Sequence, residues 1–377
     1  MKVLIDAHML GERESGNETY ISGLVRGLCA LNDPRGDVVL AVAHPEAARK
    51  TLAECPFRTC SVSAGAARRL LFDLPALAAR EQADVVHVTY AGPPRLPCPM
   101  VVTVHDVSYR HRPDWFSTRD RIVLNAGISW TVKRASAVIT VSQFCARDIA
   151  EQYPAAKAKL HVTPEAAGEN FSAEPRPAED WEGFARLGIS PPYFLSVGNL
   201  QPRKNLVRLI EAYARLRREQ PGCPQLVLAG SPRWQGSEPA RRAAALGLGA
   251  DAVRLTGYVA GEDLAVLYRG AMTFVYPSLF EGFGLPILEA MASGVPVVTS
   301  NVTSMPEVAG DGALLVKPKS VDDIYAALNR CAGDPSLRAR LAERGRARAA
   351  RFSWRETALR TWDVYEQVAA TGKGAAA

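Results

Sequence analysis

Apolar, β-rich runs alternate with helical patterns along this chain, and the alternation happens twice. In the first half the runs are KVLIDA (2–7), DVVLAVA (37–43), ADVVHVTY (83–90), MVVTVHD (100–106) and SAVITVS (136–142). Strands separated by helix-length segments pair in parallel through crossover helices, so each set predicts a βαβ-built sheet. The pattern restarts with YFLSVGN (193–199), PQLVLAG (224–230), VRLTGYV (253–259), MTFVYPS (272–278) and GVPVVTS (294–300). A length of 377 residues suits two such domains better than one core. The expected fold class is α/β, with two doubly wound Rossmann-like domains at 1–172 and 190–350.

Between the two sets, residues 164–192 carry five prolines and no strand-like run, the composition of an interdomain linker. After the second set, 352–370 has an apolar helical side with Trp354, Leu359, Trp362, Tyr365 and Val368. A helix is expected at about 355–370, followed by a frayed GKGAAA tail. The seven cysteines include no CxxC pair, which argues against a disulfide framework or a zinc site. No stretch approaches the ~20 apolar residues of a membrane span, and the first ten residues read as a strand rather than a signal peptide. The expected location is the cytoplasm.

The formal net charge is +6. Divided at residue 180, the first half has 21 Lys+Arg against 21 Asp+Glu and the second 24 against 18, which assigns the excess to the second half. Eight arginines between Arg338 and Arg360 make up much of it, and they read as a solvated basic helix face.

In open parallel sheets ligands bind beyond the carboxyl ends of the strands, and three segments there carry chemistry. Phe280-Glu281-Gly282-Phe283-Gly284-Leu285-Pro286 leaves a strand through a glycine-rich turn and enters a helix that carries Glu289. Two carboxylates there would accept hydrogen bonds from sugar and ribose hydroxyls. Gly198-Asn199-Leu200-Gln201-Pro202-Arg203-Lys204 places two cations at a helix entrance, a position the helix dipole disfavours unless an anion joins them. A guanidinium fork beside an ammonium suits a diphosphate. His105 and Asp106 follow the strand MVVTV, where a histidine can bind hydroxyls or handle protons. A weaker glycine-rich loop, Gly11 to Tyr20 with Gly16, follows the first strand. HExxH, GxSxG, Walker and DxD patterns are absent, so metal-dependent hydrolase and nucleotide kinase chemistries lack support.

Taken together, GERESGNETY, TVHD, VGNLQPRKN, LTGYV, EGFGLPILEAMA and SMPEVAGDGALL resemble the GT-B-fold retaining glycosyltransferases of family 4 over nearly the whole length. The resemblance implies two domains facing across a cleft and a C-terminal helix that crosses back to the first domain. It implies that Arg203 and Lys204 hold the donor diphosphate, that Glu281 contacts the transferred sugar and that Glu289 binds ribose. Gly282, Phe283, Gly284 and Leu285 would touch sugar and phosphates through their amides. Gly16 would close over the diphosphate, Gly198 would join the donor site, Val259 would meet the base, and His105 would contact the sugar near its reacting carbon. One departure stands out: Thr163-Pro164-Glu165 lacks the asparagine and glycine that many relatives carry at the end of the first domain.

The implied reaction moves a sugar from a nucleotide-diphosphate donor to a glycan or lipid-linked acceptor, with retention, no metal and no cofactor. The preferred donor is GDP-mannose, with UDP-glucose or another UDP-sugar as the rival. A sugar-nucleotide 2-epimerase and a non-catalytic binding protein are the competing classes. Nucleic acid is not an expected partner, peripheral association with the inner membrane face is, and oligomeric state has no signature in the sequence.

Overall fold

A computed structural model describes residues 1–11, 15–31, 36–52, 55–231, 238–259 and 261–374. The expected frayed tail at 372–377 and residues 12–14 of the first glycine loop fall outside the described side chains.

The chain divides into two units, Met1–Glu165 with Ser353–Ala377, and Ala166–Phe352. The first is built on β1 (Lys2–Asp6), β2 (Asp37–Val42), β3 (Arg58–Ser61), β4 (Val85–Thr89), β5 (Met100–Thr103), β6 (Ala137–Thr140) and β7 (Leu160–Val162). All pairings are parallel and the order is β3-β2-β1-β4-β5-β6-β7. The second holds β8 (Tyr193–Val197), β9 (Gln225–Ala229), β10 (Val253–Gly257), β11 (Ala271–Tyr276), β12 (Val297–Ser300) and β13 (Ala313–Val316). It too is parallel throughout, in the order β10-β9-β8-β11-β12-β13. Both sheets therefore follow the doubly wound 3-2-1-4-5-6 scheme, whose order reverses between β1 and β4 and between β8 and β11. The central strands are buried on both faces, which is why they read as unbroken apolar runs.

Three edge strands were not visible as runs. RTCS of β3 and LHV of β7 are only partly buried, and ALLV of β13 leaves Leu315 exposed. The segment read as linker contains a helix, Pro177–Leu187, which starts at a proline and ends on Gly188 at φ +63°. Its Asp180 pairs with Arg269 at 2.5 Å, and a Cβ on Gly183 would stand 2.9 Å from Val266.

The unit boundaries change the charge picture. The first unit carries 23 Lys+Arg and 20 Asp+Glu, the second 22 and 19, so each has a net of +3 and the excess is shared. The change comes from 166–180, where Glu169, Glu174, Glu179 and Asp180 against Arg176 belong to the second unit although a cut at residue 180 gave them to the first; the returning segment 353–377 carries three charges of each sign. Several arginines of the 338–360 cluster are structural: Arg348 donates to the carbonyls of Val308 and Glu307, Arg338 to those of Cys331 and Ala332, and Arg360 pairs with Glu356.

The C-terminal helix Trp354–Gly374 returns to the first unit and packs on the helix Ser15–Leu31. Gly23 and Gly27, one turn apart, form the seat of Trp354: a Cβ on Gly27 would lie 2.2 Å from the Trp354 carbonyl oxygen. Gly27→Ala must push two helix backbones apart, and overpacking of this kind costs about 1–3 kcal/mol. The expected result is a lower melting temperature with the fold retained, read by thermal unfolding monitored by circular dichroism.

Candidate active site

In the second unit the site begins where the sheet order reverses. Pro202–Lys204 form a single 3-10 turn after β8, Asn205 takes φ +60°, and the helix Leu206–Glu219 starts behind it. Asparagine tolerates this left-handed backbone better than most residues. Its Nδ2 donates to the carbonyls of Pro277 at 3.0 Å and Pro318 at 2.6 Å, while the Leu279 amide donates to the Arg203 carbonyl at 2.7 Å. The loops after β8 and β11 are thereby stitched together. Asn205→Ala keeps neither the backbone preference nor the two hydrogen bonds, and leaves two buried carbonyls unpaired at about 1–3 kcal/mol. Lower stability should accompany weaker donor binding, whereas Asn205→Gly, which restores only the backbone freedom, should recover a minor part of both in calorimetry.

Lys204 is buried, and Gly198 makes room for it: at φ +141°, a Cβ on Gly198 would meet the Lys204 Cε at 3.1 Å. Lys204 Nζ donates to Glu281 Oε1 at 2.7 Å and to the Tyr276 hydroxyl, and stands 4.7 Å from the centre of the Tyr276 ring. Arg203 Nη1 lies 3.9 Å from Glu281 Oε2, while its Nε donates to Gln201 at 2.8 Å. Burial alone would raise the Glu281 carboxyl, but the Lys204 ammonium and the Arg203 guanidinium outweigh it and hold the group below its ordinary value. Glu281 is thus an ionised acceptor, suited to sugar hydroxyls rather than to proton donation.

The loop around Glu281 is held from β12. Ser304 Oγ donates to the Glu281 and Phe283 carbonyls at 2.9 and 2.8 Å, Ser300 Oγ to the Ser278 carbonyl at 2.7 Å, and the Glu281 amide to Thr303 at 3.3 Å. Phe280 to Leu285 are all buried, and Gly284 takes φ +107° as it caps the helix Leu285–Ala292. Glu289, in that helix, accepts from the Tyr268 hydroxyl at 2.8 Å. The rings of Tyr268, Phe274 and Tyr276 stand in series at 5.4 and 5.6 Å, so the two carboxylates bracket one aromatic row. Val259 is half-buried just past β10, after Gly257 at φ +74°.

In the first unit His105 follows β5 and packs edge-on against Tyr20 at 4.6 Å and Tyr90 at 5.6 Å. Its Nδ1 lies 3.4 Å from Glu165 Oε1, and its buried Nε2 has no hydrogen-bond partner among the described residues. A histidine with one nitrogen oriented by a carboxylate and the other unsatisfied is ready for a ligand hydroxyl. Gly16, by contrast, is exposed in the first turn of the helix Ser15–Leu31, and a Cβ there would meet nothing within 4 Å. Nearby in the fold, buried Asp6 receives Arg69 at 3.3 Å and His8 at 3.0 Å at the end of β1.

Asn205 and Ser304 lie inside the motifs VGNLQPRKN and SMPEVAGDGALL but carry no assigned role there, and nothing in the sequence marks Tyr268 or Tyr276 as site residues. Among the described residues no group of three or more His, Cys, Asp and Glu is placed to hold a metal ion, and no helix is long and apolar enough to cross a membrane.

Known proteins resemble this chain in sequence and in fold. Residues 15–166 match the model of glycosyltransferase family 4, and residues 179–348 match that of glycosyl transferases group 1. An O-antigen chain mannosyltransferase B of Escherichia coli is 37% identical over 279 residues, covering 71% of this chain and 70% of that one. The serotype-specific mannosyltransferase WbdA of Escherichia coli is 34% identical over 60% of this chain, which spans 28% of that longer protein. Among solved structures, Anabaena Alr3699/HepE in complex with UDP and glucose superposes with a TM-score of 0.75 at 18% identity, over 97% of this chain and 100% of that one. Two parallel Rossmann-like sheets, a C-terminal helix returned to the first unit and relatives of this similarity establish that the chain belongs to glycosyltransferase family 4, with the GT-B fold.

Proposed function

We propose that this glycosyltransferase moves mannose from GDP-mannose to a hydroxyl of a glycan or lipid-linked acceptor, in polysaccharide or glycolipid synthesis, with retention and without a metal. The observation that carries the reading is the buried Lys204–Glu281 pair with Arg203 beside it, at the point where the second sheet reverses its order. The names of the mannosyltransferase relatives support the choice of sugar.

Negative charge grows on the departing diphosphate as the glycosidic bond breaks. Arg203 and Lys204 are assigned to stabilise it, aided by the amides of Gly282, Phe283, Gly284 and Leu285. Glu281, ionised, accepts hydrogen bonds from the sugar, and Glu289 from the ribose. Gly198 and Val259 complete the donor site through their backbone. His105 and Gly16 keep the roles the family resemblance implies, contact with the sugar and with the diphosphate. The acceptor attacks from the face of the leaving group, and a leaving phosphate oxygen takes its proton. The proposed place of work is the cytoplasm, with a lipid-linked acceptor met at the inner membrane face.

A thermal-shift panel of GDP, UDP and ADP with their sugars selects the donor, because a ligand that binds only the folded state raises its melting temperature. GDP-mannose should give the largest shift, and transfer should survive EDTA. Arg203→Ala, which removes a half-exposed charge, should weaken donor binding about 10- to 100-fold, as expected for a charge-assisted hydrogen bond worth about 1.5–3 kcal/mol, with little change in melting. A larger shift with UDP-glucose would replace mannose by glucose, and equal shifts with all nucleotides would remove the assignment of the donor site.

A further inference from the structure

The first unit carries a concavity of about 270 Å3 lined by Tyr109, Arg110, Pro113, Arg121, Ile122 and Asn125, none of them assigned to donor or transferred sugar. Arg121 and Asn125 stand one turn apart on the helix Thr118–Arg134 and share a face. Arg110 is fixed beside them: its Nη1 donates to Asn125 Oδ1 at 2.6 Å, its Nε to Gln152 Oε1 at 2.9 Å, and its guanidinium lies over the Tyr153 ring at 5.0 Å.

Each of those partners is neutral. The neighbouring Arg112 is neutralised by Asp114 at 2.6 Å, and Asp120, the carboxylate of the same helical turn, accepts from Ser117 at 2.7 Å. The Arg121 side chain has no hydrogen-bond or ion-pair partner among the described residues. Two guanidinium groups lining one concavity with no carboxylate between them repel each other, and an anion reverses the sign of that interaction. Their fork geometry fits the oxygens of a phosphate. Ile122, one of the lining residues, is 65% exposed, an apolar side chain left uncovered beside the two guanidinium groups.

We infer that this concavity binds the phosphoryl group of an anionic amphiphile, with Arg110 and Arg121 on the phosphate and Ile122 against the aliphatic part. The site is independent of the donor assignment, and its test uses binding alone.

Isothermal titration of the intact chain with dihexanoyl phosphatidic acid, below its micelle concentration, is compared with inorganic phosphate and with dihexanoyl phosphatidylcholine. The phosphatidic acid should bind at least tenfold more tightly than either. Arg110→Gln with Arg121→Gln should weaken it at least tenfold, and Ile122→Ser should weaken the amphiphile but not inorganic phosphate. If the double variant melts below the parent, Arg121→Gln alone carries the test, since that side chain gives up no internal partner. Inorganic phosphate binding as tightly as the amphiphile, phosphatidylcholine binding equally, or unchanged binding by Arg121→Gln would each overturn the inference.

Discussion

Changing Lys204 to alanine is expected to destabilise the protein by about 3–5 kcal/mol, the cost of stripping one partner from a buried ion pair. Glu281 is only 5% exposed, and the remaining cation, Arg203, is 3.9 Å from its other oxygen. Against a total stability of about 5–15 kcal/mol this is a large fraction, so melting should fall by many degrees. Transfer should fall by about 100- to 1000-fold, the usual effect of deleting one group that stabilises developing negative charge. The two effects separate in the double variant Lys204→Met with Glu281→Gln. Removing both charges takes away the unpaired carboxylate, so stability should recover most of the loss while transfer stays low. A Lys204→Ala protein that melts like the parent would mean that Glu281 is not held ionised by this contact. A double variant that regains transfer would remove Lys204 from the diphosphate.

How much of this was legible beforehand depended on how far each partner lies along the chain. Strands β1, β2, β4 to β6 and β8 to β12 stood out as mainly apolar runs, most of them buried on both faces, although β4 holds His87 and the edge strand β10 holds Arg254. The edge strands β3, β7 and β13 lack that constraint and carry Arg58, His161 and an exposed Leu315 instead. The helix Pro177–Leu187 had its signals, a proline at the start, Glu179 and Asp180 in the first turn and Gly188 at the end, but neighbouring prolines masked them. In the site, Arg203, Lys204 and Glu281 were visible as residue types following strands. Asn205 and Tyr276 lie in the segments VGNLQPRKN and MTFVYPS, but their roles were not legible, because their chemistry arises from partners 72 residues away. His87 read simply as part of a strand, since its two partners, Thr103 and Tyr365, come from another strand and from the end of the chain.

That last contact makes the attachment of the C-terminal helix sensitive to acid. His87 Nδ1 meets the Tyr365 hydroxyl at 2.5 Å and its Nε2 meets Thr103 Oγ1 at 2.7 Å, while Thr103 also bonds Tyr20. The ring is fully buried, and burial, reinforced by His105, pushes its pKa down to about 3. An unfolded chain titrates this group near 6.5. Between those values the unfolded state binds the proton and the folded state does not, so stability rises with pH through this window and is lost as pH falls from about 6.5. From pH 7 to pH 5 the loss should be about 2 kcal/mol, in a range above the ordinary carboxylate titrations. His87→Gln keeps a hydrogen-bonding side chain and removes the titration. It should melt lower than the parent at pH 7, yet show a markedly shallower fall between pH 7 and pH 5. Hydrogen exchange should show amides of Trp354–Gly374 losing protection early on acidification of the parent, since Tyr365 anchors that helix to β4 and β5 through His87 and Thr103. Parallel pH profiles for the two proteins would show that His87 is not the group that titrates on unfolding.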